Sequence, residues 1–339
     1  MKRILMNLLF FVSLILLAGC SFTGQTEEDI TLVQTGFPSY DDQYVTVGFI
    51  QTGKESDWRD ANSNDFLNTF TKENGYELIF VNGNSSSERQ VKAMYDLIHQ
   101  RVDYIIIDPL IEDGWDEVIQ KAYDSHIPVI VSDRNVSTDS SLYTCWIGSD
   151  FHAEGINAVV FLEDYLVENN RQDEQINIVI LEGTKGSSAE LGRTAGLKEK
   201  IARHPNWNII TSRSANFTQG EGQSVMEDIL LEQDDIDVLI AENDNMMFGA
   251  MKAMDRYGVS YGVNGKVITI SFDCLYEAFE KMIDGSLHAS VECNPLLAEL
   301  TEKAIRRLEN GEEIEPIYYS EESIYTYKNA ARFINERRY

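Results

Sequence analysis

Short apolar runs that alternate with segments of helical length constrain the fold of this chain more than any other feature. Most runs are rich in Val and Ile and nearly continuous, a pattern typical of parallel strands that are buried on both faces. The predicted strands are Val45–Ile50, Leu78–Val81, Tyr104–Ile107, Pro128–Val131, Tyr143–Ile147, Ile176–Leu181, Ile209–Ser212, Val238–Ala241, Val267–Phe272 and Ala289–Val291. Strands and helices in alternation predict an α/β fold with parallel sheets.

Helical patterns occupy the intervals between these runs. Examples are Trp58–Asn74, Glu88–Arg101, Trp115–Ser125, Ala153–Glu168, Leu191–Arg203, Met246–Tyr257 and Leu275–Asp284. The sequence Ser85-Ser86-Ser87-Glu88 predicts a capping box that opens the second of these helices. The strand–helix units are too many for one regular sheet, so we predict two doubly wound parallel-sheet lobes. The break between them is predicted near Gly148–Phe151, where the lack of a Pro- or Gly-rich linker indicates short hinge strands.

The start of the chain has the features of an export signal. A basic pair precedes an apolar run, Ile4–Leu17, that is too short to cross a bilayer comfortably. Leu17-Ala18-Gly19-Cys20 resembles a bacterial lipobox, in which the cysteine becomes the lipidated first residue. An ordinary secretory signal with a chance cysteine is the alternative. We predict a lipoprotein signal peptide over 1–20, an acidic tether over 21–43, and a lipid-anchored protein at the outer face of the cytoplasmic membrane or in the periplasm.

The charge of the chain excludes one class of partner. It has 56 acidic against 28 basic side chains, and a formal net charge of -28. Such a surface repels phosphate backbones, so we expect no nucleic acid partner.

The cysteines and histidines indicate neither a disulfide scaffold nor a metal site. Beyond Cys20 the chain has Cys145, Cys274 and Cys293, and a bridge between the last two stays open because nothing in the sequence fixes their distance. No cysteine pair has metal-ligand spacing, and the five histidines are scattered. We therefore expect no metal and no cofactor.

Polar and aromatic side chains follow nearly every predicted strand. In open α/β sheets ligands bind beyond the carboxyl ends of the strands, so these side chains are candidate ligand contacts. Carboxylates, amides and guanidinium groups match sugar hydroxyls, and an indole packs on the apolar face of a sugar ring. The candidates are Glu55, Trp58, Arg59, Asp133, Arg134, Arg193, Phe217, Asn243 and Asp273.

Several of these residues also have a purely structural interpretation. Trp58 could pack the first helix on its sheet, and Asp133 and Arg134 could form a surface pair. Asp273 could cap the helix that follows it, and Asn243 could be a turn residue. The coincidence of polar groups at strand ends in both halves favours a ligand site. No nucleophile elbow and no histidine occur in these loops, so we predict no catalytic residues and no enzyme activity.

The order and spacing of these loops resemble a known family. The segments that carry the resemblance are Val47-Gly48-Phe49, Glu55-Ser56 with Trp58-Arg59, Pro109 with Gly114-Trp115, Ile127-Pro128-Val129, Asp133-Arg134, Gly183-Thr184, Arg193, Phe217-Thr218, Val225-Met226-Glu227, Asn243-Asp244 with Met246, Asp273 and Ala289-Ser290-Val291-Glu292. The chain is similar to the bacterial type I periplasmic sugar-binding proteins of ABC importers, the ribose-binding class. Within that class it most resembles the galactofuranose-binding group.

The resemblance implies two lobes that are joined by three crossings and close on the ligand. The first lobe would comprise 44–149 plus 294–320, and the second 150–293 plus 321–339. The sugar would be held by Trp58, Arg59, Asp133, Arg134, Arg193, Asn243 and Asp273, with Phe217 and Glu55 near it. The chain departs from the pattern of the galactofuranose-binding group at Asp57, Asp108, Gln219, Glu242 and Cys274. These departures leave the identity of the sugar open.

The sequence thus predicts a monomeric, lipid-anchored solute-binding protein. It would capture a monosaccharide, with a furanose such as galactofuranose as one candidate, and deliver it to the permease subunits of an ABC importer. The alternative is a sugar-sensing module for a membrane histidine kinase or a chemoreceptor.

Overall fold

The computed structural model of the protein describes residues 43–339. The predicted signal peptide, Cys20 and the predicted tether up to residue 42 lie outside the described residues. In the part of the chain that the structure describes, no helix is long and apolar enough to cross a membrane.

Two six-stranded sheets form the framework, as the alternating pattern predicts. The strands are β1 (Val45–Gln51), β2 (Tyr76–Asn82), β3 (Tyr104–Ile107), β4 (Val129–Ser132), β5 (Cys145–Gly148), β6 (Ile176–Glu182), β7 (Trp207–Ser214), β8 (Val238–Ala241), β9 (Ile268–Asp273), β10 (Ala289–Glu292), β11 (Ile317–Tyr319) and β12 (Ile324–Thr326). The first sheet has the order β11-β5-β4-β3-β1-β2 and is parallel throughout. The second has the order β12-β10-β9-β8-β6-β7, and β12 is its antiparallel edge strand.

Ten helices pack on these sheets. They are α1 (Asp57–Thr69), α2 (Ser87–Gln100), α3 (Asp116–Asp124), α4 (Phe151–Glu168), α5 (Ser188–Ile201), α6 (Gln219–Glu232), α7 (Asp244–Tyr257), α8 (Tyr276–Asp284), α9 (Ala298–Glu309) and α10 (Ala330–Phe333), all within the described residues. We call each sheet with its helices a lobe, the first lobe containing β1 and the second containing β6. The residue boundaries of the lobes given above stay a prediction.

Continuous apolar strands follow from burial on both faces of a sheet. Along β3, Ile106 packs in one core cluster with Phe66 of α1. Its neighbours Ile105 and Ile107 pack in the opposite cluster with Leu97 of α2. All three isoleucines are fully buried, so a run without polar alternation is what this position requires.

The chain passes between the lobes three times. It leaves the first sheet after Gly148, returns after Glu292 at the end of β10, and leaves again after Tyr319 of β11. The three connections are hydrogen-bonded to one another: Ser320 N donates to Gly148 O at 2.9 Å, and Glu292 N donates to Ser323 O at 2.8 Å. These connections form the hinge that the sequence predicted.

Some local details differ from the sequence-based predictions. The first helix ends at Thr69, and a separate 3-10 turn covers Lys72–Asn74. The second helix is capped by Ser86, not Ser85, because Ser86 Oγ accepts from Arg89 N at 3.3 Å. The short strands β11 and β12 were not predicted.

Candidate functional site

A narrow cavity of about 280 Å³ lies among the loops that follow strands of both sheets. All nine candidate ligand residues line it: Glu55, Trp58, Arg59, Asp133, Arg134, Arg193, Phe217, Asn243 and Asp273. The structure therefore brings together residues from both lobes that are far apart in sequence. Their role as sugar ligands stays a prediction.

Four further residues of the lining were not among the predicted ligand contacts. They are Ser56, Phe151, Ala189 and Cys293. Ser56 had a usable signal, since it lies in the loop between β1 and α1 and caps α1 through its hydroxyl. Phe151 and Cys293 lie beside the hinge crossings, where nothing in the local sequence marks them as cavity residues.

Arg59 is the centre of a buried carboxylate cluster in the first lobe. Its Nη2 donates to Asp133 Oδ2 at 2.8 Å and to Glu55 Oε1 at 3.2 Å, and its Nη1 donates to Asp108. Burial alone would lower the pKa of Arg59, but the neighbouring carboxylates outweigh it and raise this pKa, so the guanidinium stays charged. Burial raises the pKa of Asp108, although Arg59 opposes that shift. Three carboxyl groups thus fix one guanidinium at the cavity wall.

Arg134 connects the first lobe to an aromatic ring of the second. Its Nη2 donates to Glu55, and its Nη1 donates to Leu110 O at 3.3 Å. The guanidinium carbon lies 5.1 Å from the ring centre of Phe217. Arg134 is 3 % exposed and Asp133 is 4 % exposed, so the interpretation of these two as a surface pair is wrong.

Arg193 of α5 performs the corresponding role in the second lobe. Its Nε donates to Glu154 Oε2 at 2.6 Å, and its Nη1 donates to Glu242 O at 2.5 Å. Its Nη2 lies 3.6 Å from Asp273 Oδ1. Burial raises the pKa of Asp273, and Arg193 opposes that shift. The planar guanidinium is therefore held in one orientation by groups on three sides.

Trp58 combines packing with a place on the cavity wall. Its Nε1 donates to Cys293 O at 2.7 Å, and the Arg59 guanidinium lies 4.6 Å from its ring centre. The hydrogen bond ties α1 to the crossing that follows β10. The indole is thus fixed at the edge of the cavity from two directions.

Asn243 and Asp273 differ in how free their side chains are. Asn243 caps α7, because its Oδ1 accepts from Met246 N at 2.8 Å while its Nδ2 donates to Phe217 O at 3.0 Å. Asp273 does not cap α8: the Leu275 N–H at the helix start donates to Asp244 Oδ2 at 2.8 Å. The capping interpretation of Asp273 is therefore wrong, and its carboxyl group faces Arg193.

The backbone is strained at three of the strand ends that line the cavity. The φ angle is +56° at Asp133, +60° at Phe217 and +105° at Asp273. Residues with a side chain rarely adopt this region, and where they do the conformation costs of order 1–3 kcal/mol. Such strain is concentrated at functional sites, which agrees with a ligand site here.

The two lobes are in direct contact around the cavity. Glu112 N donates to Gly186 O at 2.9 Å, and Asn135 N donates to Ser188 Oγ at 2.7 Å. Asp57 and Asn245 also bond across this gap. These contacts describe the closed arrangement of the lobes.

None of the positions that depart from the galactofuranose-binding pattern lines the cavity. They are Asp57, Asp108, Gln219, Glu242 and Cys274. For example, Glu242 accepts from Gly183 N at 2.8 Å, and Asp57 accepts from Asn245 Nδ2 at 2.7 Å. The three arginines of the lining face three acidic residues, Glu55, Asp133 and Asp273. Equal numbers of both charges suit a neutral, hydroxyl-rich ligand.

The cysteines in the described residues are all free thiols. Cys145, Cys274 and Cys293 are buried and none forms a disulfide. The bridge that the sequence left open between Cys274 and Cys293 is absent from residues 43–339 of this structure.

Residues 47–312 match the family model described as "Periplasmic binding protein domain". The chain is 35% identical over 258 residues to the galactofuranose-binding protein YtfQ of Escherichia coli K12, a match that covers 75% of this chain and 79% of that protein.

Two solved structures share the fold at similar identity. One is a Mycobacterium smegmatis protein in complex with β-D-fucofuranose (33% identity, TM-score 0.82, covering 87% of this chain and 95% of that one). The other is the binding component of the arabinose ABC transporter of Shewanella sp. ANA-3 with α- and β-L-arabinofuranose (33% identity, TM-score 0.80, covering 86% and 95%).

Proposed function

The chain belongs to the periplasmic binding protein family, and on that premise we propose that it captures one monosaccharide in its furanose form and delivers it to an ABC importer. Galactofuranose is the first candidate ligand. The chain is a binding protein and not an enzyme, as its relatives are.

One observation carries the proposal: the nine strand-end residues of both lobes line a single narrow cavity. Three fixed guanidinium groups and three carboxyl groups offer paired hydrogen bonds to vicinal hydroxyls. Trp58 from the first lobe and Phe217 from the second supply apolar faces for a ring. A ligand that touches both lobes favours their closure.

The furanose form is supported by the relatives. Both structures at 33% identity contain five-membered sugar rings, and the Escherichia coli relative is named for galactofuranose. The predicted ligand residues line the cavity, while the positions that depart from the galactofuranose-binding pattern do not. This location favours retention of the ligand class.

Transport is favoured over sensing. The Shewanella relative is a component of an ABC transporter, and its binding chain is covered almost throughout. The sensory alternative has no comparable support at this level of identity.

The lipid anchor is part of the proposal. The predicted cleavage before Cys20 would leave an acylated monomer at the outer face of the cytoplasmic membrane or in the periplasm. Labelling of cells with radioactive palmitate tests this step. The full chain should incorporate the label, and the Cys20→Ser chain should not. Equal labelling of the two would remove the anchor from the proposal.

Calorimetric titration tests the site itself. A refolded, ligand-stripped chain that lacks residues 1–20 would be titrated with galactose, arabinose, ribose, fructose and glucose. We expect one sugar to bind with a stoichiometry of one, and Arg134→Ala and Asp273→Ala to abolish binding without unfolding the protein. The control is Arg213→Ala, since Arg213 is not part of the cavity lining and pairs with Glu232. Wild-type affinity in both cavity variants would contradict the proposed site.

A further inference from the structure

A second group of polar side chains lies at the hinge, next to the sugar site. Glu154 comes from α4, Cys293 follows β10, and Glu322 lies between β11 and β12. One carboxylate oxygen of Glu154, the Sγ of Cys293 and one carboxylate oxygen of Glu322 lie within 4.8 Å of one another. Glu154 thus follows the first crossing between the lobes, Cys293 lies in the second crossing, and Glu322 lies in the third.

Glu154 has an unused buried acceptor. The side chain is 2 % exposed, and its Oε2 accepts from Arg193 Nε at 2.6 Å. Its Oε1 is buried and has no hydrogen-bond partner. A buried acceptor without a partner costs about 1–3 kcal/mol, so a missing ligand is the simplest account of it.

The surroundings of the cluster are acidic. The adjoining cleft, which has a volume of about 560 Å³, is lined by Asp150, Glu154, Glu292 and Glu322. None of the described residues that line it is a lysine or an arginine. A bound cation would offset the negative charge that these carboxylates bring together.

We propose that Glu154, Cys293 and Glu322 bind one divalent cation of the zinc class at the hinge, with water from the cleft as a fourth ligand. A thiolate with two carboxylates favours Zn²⁺ over Ca²⁺ or Mg²⁺, which prefer all-oxygen sites. With metal–ligand bonds of about 2.0–2.3 Å, a tetrahedral ion holds its ligand atoms roughly 3–4 Å apart, so ligand atoms that lie within 4.8 Å of one another reach it with small side-chain shifts. When the Cys293–metal bond forms, the thiol proton is released to solvent.

The sequence did not indicate this site, because its ligands come from three separate segments and include no histidine. The expectation of no metal relied on local ligand spacing, which cannot detect such a cluster. Cys293 lines the sugar cavity, whereas Glu154 and Glu322 line the hinge cleft. The bond between Glu154 and Arg193 links the two sites. Metal binding itself does not rest on the proposed sugar function.

The test is a zinc titration of the full chain in mild detergent, with no sugar present. Equilibrium dialysis against ZnCl₂ should show one Zn²⁺ per chain, and Ca²⁺ and Mg²⁺ should not compete. Cys293→Ser and Glu154→Gln should each weaken zinc binding at least about tenfold. The matched control is Cys145→Ser, which removes a buried thiol from the core of the first lobe and should leave zinc binding unchanged.

Cobalt provides a second readout that a folding defect does not imitate. Co²⁺ bound to the wild-type chain should show a thiolate-to-metal charge-transfer band that persists in Cys145→Ser and is lost in Cys293→Ser. Circular dichroism checks that each variant is folded, and Glu322→Gln replaces any variant that is not. Failure of the wild-type chain to retain zinc, or retention of the band in Cys293→Ser, would overturn the proposal.

Discussion

The side chain of Asn245 in the second lobe bonds twice to Asp57 in the first. Asn245 Nδ2 donates to Asp57 Oδ2 at 2.7 Å, and Asp57 N donates to Asn245 Oδ1 at 3.1 Å. Asp57 is one of the positions that depart from the galactofuranose-binding pattern. This pair therefore gives the closed arrangement a direct contact that does not involve the ligand.

Asn245→Ala should weaken sugar binding by about tenfold. It removes two hydrogen bonds that only the closed lobes make, and each is worth about 0.5–1.5 kcal/mol. Asp57→Ala removes one of them and should have a smaller effect. Calorimetry with the sugar that binds wild type measures both. Asp60→Ala is the control, because Asp60 lies on the same turn of α1 and pairs with Lys54 of its own lobe. An unchanged affinity in Asn245→Ala would show that the pair does not contribute to closure.

Arg193→Lys should reduce sugar affinity by at least about 30-fold. Disruption of a buried, hydrogen-bonded charge pair costs about 2 kcal/mol or more, even though the lysine keeps the charge. The planar group that contacts Glu154, Glu242 O and Asp273 would be lost. Titration of the same sugar measures the effect, with the exposed Arg203→Lys as control. A lysine variant with full affinity would mean that the guanidinium geometry is not needed.

The stability of the protein should depend on pH through Glu242. Burial raises the pKa of Glu242 from 4.5 to about 8. The folded state therefore holds this proton more tightly than the unfolded state, and the stabilisation is complete below pH 4.5 and lost as the pH rises through 8.

Urea unfolding at pH 5 and at pH 8.5 tests this dependence. Between these values the wild-type free energy of unfolding should decrease more than that of Glu242→Gln, which has no proton to lose. Other groups titrate in both proteins, so the difference isolates Glu242. A wild-type protein that gains stability relative to the variant as the pH rises would contradict the shift.

The thiols should be free but unreactive in the folded protein. Burial raises the pKa of Cys145 to about 12, and Cys274 and Cys293 are equally enclosed. A chain that lacks residues 1–20 should show no reactive thiol toward a disulfide reagent at pH 8 with a chelator present. It should show three after denaturation, one for each remaining cysteine. A single reactive thiol after denaturation would reveal a bridge between Cys274 and Cys293.

The fold was predictable from local patterns because eight of the strands, β1, β3–β6 and β8–β10, are buried almost throughout. A continuous run such as Tyr104–Ile107 carries its own signal. The strands β11 and β12 carry none: they have three residues each, and Ile317 and Tyr319 of β11 are exposed. Their place is set by pairing with β5 and β10, which is a tertiary property.

The cavity was predictable because parallel sheets gather their carboxyl ends. From that rule we predicted that Trp58 and Asp273, which are far apart in sequence, lie at one site, and both line the cavity. The rule does not predict contacts that depend on how the lobes meet, such as the hydrogen bond between Asp57 and Asn245. It also misses the hinge cluster, because Cys293 and Glu322 lie in connections between the lobes. Such contacts require the three-dimensional arrangement.

One measurement tests the central claim most directly: a paired titration with methyl β-D-galactofuranoside and methyl β-D-galactopyranoside, whose rings cannot interconvert. The chain would lack residues 1–20 and be stripped of bound ligand. We expect the furanoside to bind with a stoichiometry of one and at least about 100-fold more tightly than the pyranoside, because the buried polar groups of a narrow site reject a mismatched ring. Equal or tighter binding of the pyranoside would contradict the account.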